Sequence, residues 1–402
     1  MSAQIQGRYF GKGGPLFRLY FITALLTLVT LGIYRFWAKT RIRKYVWSAA
    51  TGDDDSFEYT GTGLEKFLGF LVAIVILAVY LGIVQMILFY FGLNLFVDPQ
   101  TMAQEFAQLA AIYITLLAVL PLMLFAQYRA RRYKLARTRW RGIRFGMESG
   151  AWAYAFRAMG YYLLNIVTLG MLNPLVTFRL EKFMADRTWY GDGRFHQEGR
   201  WQALYAGMKH VFIGLGVLIG GGVLLGLGAA NSSGGMGILG GVALFVGYIW
   251  FLLGLVYYRV YAFNYLTRNK VLDGQVRFDA QLQTGRVLTI VVVGGIVITV
   301  MMLVIFAVIG GVGAAMFGSA MAGDFDSTQI VGGIVVAVLY ILAFLAAGGL
   351  SLVMITQPMI EHAVNNVRVD NADHLDTIRQ RAADDGADAE GFADALDVGG
   401  AL

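Results

Sequence analysis

The chain has 402 residues, of which 57% are hydrophobic and 14% charged, with 51 glycines and no cysteine. Soluble domains run nearer half apolar and a quarter charged, so this composition excludes an ordinary globular protein and points to the membrane. The absence of cysteine excludes disulfides, thiolate metal sites and cysteine catalysis. The net charge of +6 divides unevenly: residues 359–402 hold three arginines against ten acids, and the rest of the chain carries the positive excess.

In chain order, apolar stretches cover 16–34, 64–93, 107–127, 152–175, 208–230, 236–258, 287–320 and 329–357. Each is near or above the ~20 residues a helix needs to cross a bilayer. Period-2 alternation is absent within them, which argues against a membrane β-barrel. Nothing resembling a cleavage site follows the first stretch, so it is expected to remain in the mature protein. Lys and Arg number six in 35–66, eight in 128–150, six in 176–210 and five in 259–286, and none in 94–106, 231–235 or 321–328. The positive-inside rule places the basic connections in the cytoplasm and those without Lys or Arg outside. Hairpins 64–127, 208–258 and 287–357 obey this rule. Segments 16–34 and 152–175 have basic sequence on both sides; they either re-enter or lie at the interface, or cross at a cost, giving eight spans.

Those two segments repeat each other. An ungapped offset of 138 residues pairs Val29-Thr30-Leu31-Gly32 with Val167-Thr168-Leu169-Gly170, Arg41 with Arg179, Lys44 with Lys182, Asp54 with Asp192 and Phe57 with Phe195. A shorter unit recurs more widely. Arg41, Arg129, Arg179 and Arg259 each precede an aromatic by four residues, and in the first three a second base lies between: Lys44, Arg132 and Lys182. Phe57, Phe145, Phe195 and Phe278 follow, beyond turn signals at Gly52-Asp53, Arg141-Gly142, Gly191-Asp192 and Asp273-Gly274. Residues i, i+3 and i+4 share a helix face, so each base–aromatic set stacks at one helix end. The turns read as short β-hairpins, and a row of them would pair into a small cytoplasmic sheet.

The fold expected is therefore an all-α polytopic membrane protein: about six transmembrane helices in three hairpins, two re-entrant or interfacial segments, internal duplication and short cytoplasmic β-hairpins. It divides into a first repeat (1–150), a second repeat (151–286), a third hairpin (287–358) and an acidic cytoplasmic tail (359–402) whose composition suggests disorder.

Gly11-Lys-Gly-Gly-Pro-Leu-Phe17, the stretch Leu28-Val-Thr-Leu-Gly-Ile-Tyr-Arg-Phe-Trp-Ala-Lys-Thr-Arg41 and Phe57-Glu-Tyr-Thr-Gly61 resemble the YjgN family of bacterial inner-membrane proteins, over about residues 7 to 360. The resemblance implies a multi-pass inner-membrane protein. It carries over no catalytic residues, because the family's activity is uncharacterised.

Functional candidates are few. The spans carry no Asp, Glu or His chain for a proton relay, which argues against proton-coupled transport. Arg41, Lys44, Arg129, Arg132, Arg179, Lys182 and Arg259 are candidates for anionic headgroups of the inner leaflet. Thr30, Gly32, Thr168 and Gly170 are candidate tips of re-entrant turns, with close helix packing as the alternative. Gln85, Asn94, Asn165, Arg18 and Arg157 are the polar groups most deeply placed in apolar sequence, and Gln85 and Asn165 are candidates for lining a pathway. Arg18 and Arg157 fit snorkelling better than an anion site. Gly216 and Gly220, and Gly222 and Gly226, have the small-xxx-small spacing of close helix packing. No catalytic set, metal pattern or cofactor motif stands out, so no enzyme, cofactor or nucleic-acid partner is expected. The expectation is a membrane protein that binds or passes a small solute or lipid; the alternative is a scaffold whose cytoplasmic hairpins and acidic tail bind a soluble partner.

Overall fold

A computed structural model describes residues 4–317 and 327–382. The Lys- and Arg-free connection at 321–328, as far as residue 326, and the acidic tail from residue 383 lie outside these residues.

One module recurs five times: strand, helical hairpin, strand. β1 (Ile5–Tyr9) leads into α1 (Gly13–Val29) and α2 (Arg35–Ala49), which return to β2 (Ala50–Gly52). β3 (Asp55–Tyr59), α3 (Gly63–Tyr90), α4 (Met102–Ala136) and β4 (Thr138–Trp140) form the second module. The third comprises β5 (Ile143–Met147), α5 (Ala151–Val167), α6 (Asn173–Ala185) and β6 (Thr188–Tyr190). The fourth comprises β7 (Gly193–Gln197), α7 (Tyr205–Ala230), α8 (Gly234–Arg268) and β8 (Lys270–Leu272). The fifth runs from β9 (Val276–Ala280) through α9 (Thr284–Phe317), α10 (Ser327–Ser351) and α11 (Gln357–Asn365) to β10 (Val367–Asp370).

The same backbone bond closes every module, from the amide beyond the outgoing strand to the carbonyl before the incoming one. The pairs are Phe10–Ala49, Thr60–Arg137, Glu148–Arg187, Glu198–Asn269 and Gln281–Asn366, at 2.8–3.0 Å. Each helical hairpin therefore leaves and rejoins the sheet at one point.

The strands correct the all-α expectation. They pair in the closed order β1-β10-β9-β8-β7-β6-β5-β4-β3-β2, a ten-stranded barrel rather than an all-α fold with only a small sheet of short hairpins. Tight turns join the modules: φ is positive at Asp53 and Asp54, at Arg141 and Gly142, and at Asp273 and Gly274, the backbone that two-residue hairpin loops require. Closure leaves no edge strand, and it depends on β10, which lies inside the acidic segment. Residues 359–381 thus supply a helix end, a strand and a short 3₁₀ turn (Ala372–Thr377) where composition suggested a solvated tail. The remainder of that tail, from residue 383, lies outside the described residues.

By internal contacts the chain forms two units: residues 1–5, 57–280 and 368–402, and residues 6–56 and 281–367. In the first unit, Ile5, Trp140, Tyr190, Phe195, Leu272 and Val276 pack with Ala372, Leu375 and Ile378. The recurring phenylalanines lie in this cluster. Phe57 stacks on Trp140 at 5.6 Å, Phe145 approaches Tyr190 at 4.8 Å, and Phe195 stacks on Phe278 at 5.9 Å. The repeated Phe is thus a layer of the barrel's core.

In the same unit α7 and α8 pack through glycines spaced by seven. A Cβ on Gly214, Gly221 or Gly228 would meet backbone of Phe251, Leu244 or Gly237, and one on Gly240, Gly247 or Gly254 would meet Leu225, Leu218 or His210. Gly216, Gly220, Gly222 and Gly226, singled out by four-residue spacing, face open space. Two antiparallel helices in long contact follow a 3.5-residue seam, so the seven-residue period marks the interface.

In the second unit the first hairpin packs on α10 through glycines: Gly348 lies beneath the Tyr20 hydroxyl, and a Cβ on Gly349 would come within 2.8 Å of Phe17.

Candidate functional site

Among the described residues, six helical stretches are long and apolar enough to cross a membrane: 63–90, 102–136, 201–230, 234–268, 284–316 and 330–365. α1 and α5, at 17 residues each, are shorter, and each is the outgoing arm of a hairpin.

The tips of these two hairpins are built alike. Leu31 and Gly32 have φ of 51° and 93°, and Leu169 and Gly170 have 51° and 85°. The Gly32 amide donates to the Thr27 carbonyl at 2.7 Å, and the Gly170 amide to the Asn165 carbonyl at 2.7 Å. The threonine before each tip serves both helices. The Thr30 hydroxyl donates back to the Leu26 carbonyl at 2.7 Å and accepts from the Tyr34 amide at 2.9 Å, so it closes α1 and caps the approach to α2. Thr168 does the same with Leu164 and Leu172. Glycine is needed here because the chain reverses through left-handed backbone. Apolar side chains crown the turns: Leu31 is 95% exposed and Leu169 87%.

Beside the first tip is a cavity of about 520 Å³. Tyr20, Thr23 and Thr27 of α1, Arg35 and Lys39 of α2, and Leu345 of α10 lie on its walls. Neither α1 nor α2 contains an Asp or Glu, while α1 carries Arg18 and α2 carries Arg35, Lys39, Arg41, Arg43 and Lys44. The groove is therefore apolar at the helix faces and cationic at the start of α2, where the helix dipole is also positive.

The second hairpin carries different residues at the positions that line this groove. At the same offset of 138, Thr23 and Ala24 become Tyr161 and Tyr162, and Arg35 and Lys39 become Asn173 and Thr177. Tyr161 and Tyr162 pack against a core of Leu124, Tyr128, Met147, Tyr154, Ala158 and Phe183. Thr177 accepts a hydrogen bond from the Tyr258 hydroxyl at 2.8 Å. Glu181, the counterpart of Arg43, accepts from both terminal guanidinium nitrogens of Arg131 at 2.7 and 2.9 Å and from Lys270 at 2.9 Å. Burial alone would raise the Glu181 carboxyl, but the two cations hold it well below the usual carboxylate range.

The other sequence candidates occupy distinct places. Arg41, Lys44, Arg179 and Arg259 are exposed. The Arg41 guanidinium lies 5.7 Å from the Tyr34 ring, and Arg129 is half-buried with its guanidinium 5.8 Å from Phe125. Arg132 is buried and donates to the Met147 carbonyl at 2.8 Å, so it holds strand backbone. Lys182 donates to the Gln197 carbonyl at 2.6 Å and pairs with Asp186. Gln85 donates to Thr115 on the neighbouring helix at 2.9 Å, and Asn165 sits on α5 with its Oδ1 buried. Gln85 and Asn165 therefore do not share the groove with Thr30 and Gly32. Arg35, Lys39, Tyr20 and Thr23 were missed, and only a position-by-position comparison of the two copies marks them out. Among the described residues no group of three or more His, Asp or Glu is placed to hold a metal.

The six apolar helices among the described residues, joined by strands of a closed β-barrel, define an integral membrane protein. The family model described as "Bacterial protein of unknown function (DUF898)" matches residues 4–303, and the chain belongs to that family. It is similar to the inner membrane protein YjgN of Salmonella typhimurium, 26% identical over 175 residues, which is 40% of this chain and 39% of that protein. It is likewise similar to YjgN of Escherichia coli O157:H7, 26% identical over 166 residues, covering 40% of this chain and 35% of that protein. The match thus spans under two-fifths of the length of these relatives. No solved structure matches the chain.

Proposed function

We propose that the protein binds a membrane lipid or small amphiphile in the groove beside its first helical hairpin, and that it works as a binding protein of the inner membrane rather than an enzyme or a proton-coupled carrier. The observation that carries this is the cavity itself: about 520 Å³, walled by apolar helix faces and carrying Arg35 and Lys39. Pockets of this size with a few convergent polar groups are the common form of ligand sites. The interior of the barrel is occupied by aromatic and aliphatic side chains, which favours binding over passage through it. In this reading the barrel, fed by the basic connections, faces the cytoplasm, where the exposed Arg41, Lys44, Arg179 and Arg259 meet the anionic leaflet.

The natural absence of cysteine makes the orientation easy to test. Ser232→Cys, between α7 and α8, is expected to react with an impermeant maleimide on spheroplasts, and Asp54→Cys, in the β2–β3 turn, only after lysis. The reverse pattern would overturn the orientation. Binding is tested by native mass spectrometry of the detergent-purified protein. A bound amphiphile is expected, lost in Ala24→Tyr, which places in the groove the bulk that Tyr162 supplies in the second hairpin. A ligand-free wild-type protein, also after addition of phospholipid, would sink the reading.

A further inference from the structure

A second contact reinforces the closing bond of most modules, and its chemistry changes in the fifth. The side chain four residues before the closing carbonyl is Tyr45, Tyr133, Phe183, Tyr265 and His362 in chain order. The residue two beyond the closing amide is Lys12, Thr62, Gly150, Arg200 and Gln283. In the first and fourth modules the tyrosine clasps the backbone of that residue. The Tyr45 hydroxyl accepts from the Lys12 amide and donates to the Lys12 carbonyl, both at 2.8 Å. The Tyr265 hydroxyl accepts from the Arg200 amide at 2.8 Å and donates to the Arg200 carbonyl at 3.1 Å. In the second module the Tyr133 hydroxyl donates to Glu65 at 2.9 Å, and that carboxylate accepts from the Thr62 amide. Phe183, in the third, has no polar atom to offer.

In the fifth module the Gln283 amide donates to Nε2 of His362 at 3.1 Å. A backbone amide only donates, so Nε2 holds a lone pair and the ring is neutral, with its proton on Nδ1. Nδ1 lies 3.1 Å from the Asn366 side-chain nitrogen, which also donates to the His362 carbonyl at 2.8 Å. An imidazolium carries a hydrogen on both nitrogens and accepts at neither. A phenol donates and accepts at once, and it keeps its proton through the neutral range. The charged and titratable groups on elements next to α11 are Arg286 at the start of α9, Arg8 and Tyr9 on β1, and Arg368 on β10; Glu361 lies on α11 itself, and residues 352–356 carry none. Arg286 acts electrostatically on the ring, so a charged His362 would meet a like charge as well as lose its donor. We infer that His362 makes the root of the fifth hairpin a proton-sensitive clasp. Neutral, it holds the Gln283 amide and with it the start of α9; protonated by solvent, it releases them, while the tyrosine clasps stay closed.

The test uses hydrogen exchange of the full-length protein in detergent, read by mass spectrometry and corrected for the intrinsic pH dependence of exchange. Between about pH 8 and pH 5, the range in which an imidazole changes charge, wild-type peptides spanning 281–287 are expected to exchange about fivefold faster. That factor is the worth of one hydrogen bond. Peptides spanning 10–14 and 198–204 should keep their protection. His362→Tyr, which installs the side chain of the first and fourth modules, should hold 281–287 protected at both pH values. The converse variant Tyr265→His should make 198–204 pH-sensitive. Spectra of the protein labelled with 15N-histidine, with the signal assigned by its loss in His362→Tyr, should show the proton on Nδ1 at the higher pH and on both nitrogens at the lower. Wild-type exchange that does not change with pH overturns the inference, as does an equal rise in His362→Tyr, which would place the sensitivity in another group. A proton on Nε2 at the higher pH overturns it too, and so does a folded Tyr265→His whose 198–204 region ignores pH. Circular dichroism identifies any variant that fails to fold; for His362→Tyr the replacement is His362→Gln, an uncharged acceptor, with the same expected protection and the same overturning result.

Discussion

The first and second short hairpins start from the same design and end with opposite uses. Both reverse at Thr-Leu-Gly with nearly the same backbone angles, and both return to a strand through the same amide–carbonyl bond. Yet the second is sunk among aromatic side chains and held by an ion network around Glu181, whereas the first keeps a groove and puts Arg43 where the second has Glu181. A duplicated backbone conserves the turn because the reversal has few solutions; the facing side chains diverge because each copy meets different neighbours. The likeness resides in local geometry, the difference in packing and charge.

The ion network offers the largest effect. Glu181→Ala would leave the half-buried Arg131 and Lys270 facing each other, and about 3 kcal/mol of stability should be lost. Thermal unfolding in nanodiscs measures this. The same carboxylate sets an acid limb. Its folded value lies below its ordinary 4.5, so its contribution is present above that pH and lost as the pH falls below it. Glu181→Gln should flatten the acid side of a stability–pH curve. Arg43→Gln in the first hairpin should leave that limb unchanged; an equal effect from both would break the contrast.

Packing comes next. Ala158, fully buried at the counterpart of Tyr20, has no space for a ring, so Ala158→Tyr should cost about 1–3 kcal/mol, while Ala24→Tyr, entering a groove, should cost less than 1 kcal/mol. Comparable losses by chemical denaturation would show the first groove to be as filled as the second. The turns should behave as equals. Gly32→Val and Gly170→Val force a β-branched residue into left-handed backbone, at about 1–3 kcal/mol each. A gap of more than ~1 kcal/mol between them would argue against a shared design.

Much of this was legible before any coordinates. The repeat was visible because charged and aromatic residues recur at one offset, and apolar bias does not produce that. Barrel closure was not visible. Four of its strands are three residues long, too short for any periodic signal, and β10 is hidden by the acidic composition around it. The recurring Phe marked each strand pair without revealing that the pairs form a ring. The α7–α8 interface was misread because glycine is so frequent that four-residue spacings arise freely, while the seven-residue period of Gly207, Gly214, Gly221 and Gly228 carries the contact. The groove was illegible for another reason. Arg35 and Lys39 sit in a basic stretch whose charge already had an explanation in topology, and only the second copy shows that those two positions were free to be Asn and Thr.

The smallest effect is the sharpest test of how the copies diverged. Arg41 and Arg179 are equivalent, exposed and lie nine residues beyond their respective tip glycines, Gly32 and Gly170. Arg41 lies 5.7 Å from the Tyr34 ring; at the position equivalent to Tyr34 the second hairpin has Leu172, which offers no ring. Exposed cation–π pairs contribute roughly 0.5–1 kcal/mol. Arg41→Ala should therefore cost about 0.5 kcal/mol and Arg179→Ala less than that. A double-mutant cycle with Tyr34→Leu isolates the ring's share: its coupling energy should account for the whole difference between the two arginines. If the coupling is zero while the difference persists, the extra stability of Arg41 comes from elsewhere in the first hairpin, and the ring has no part in it.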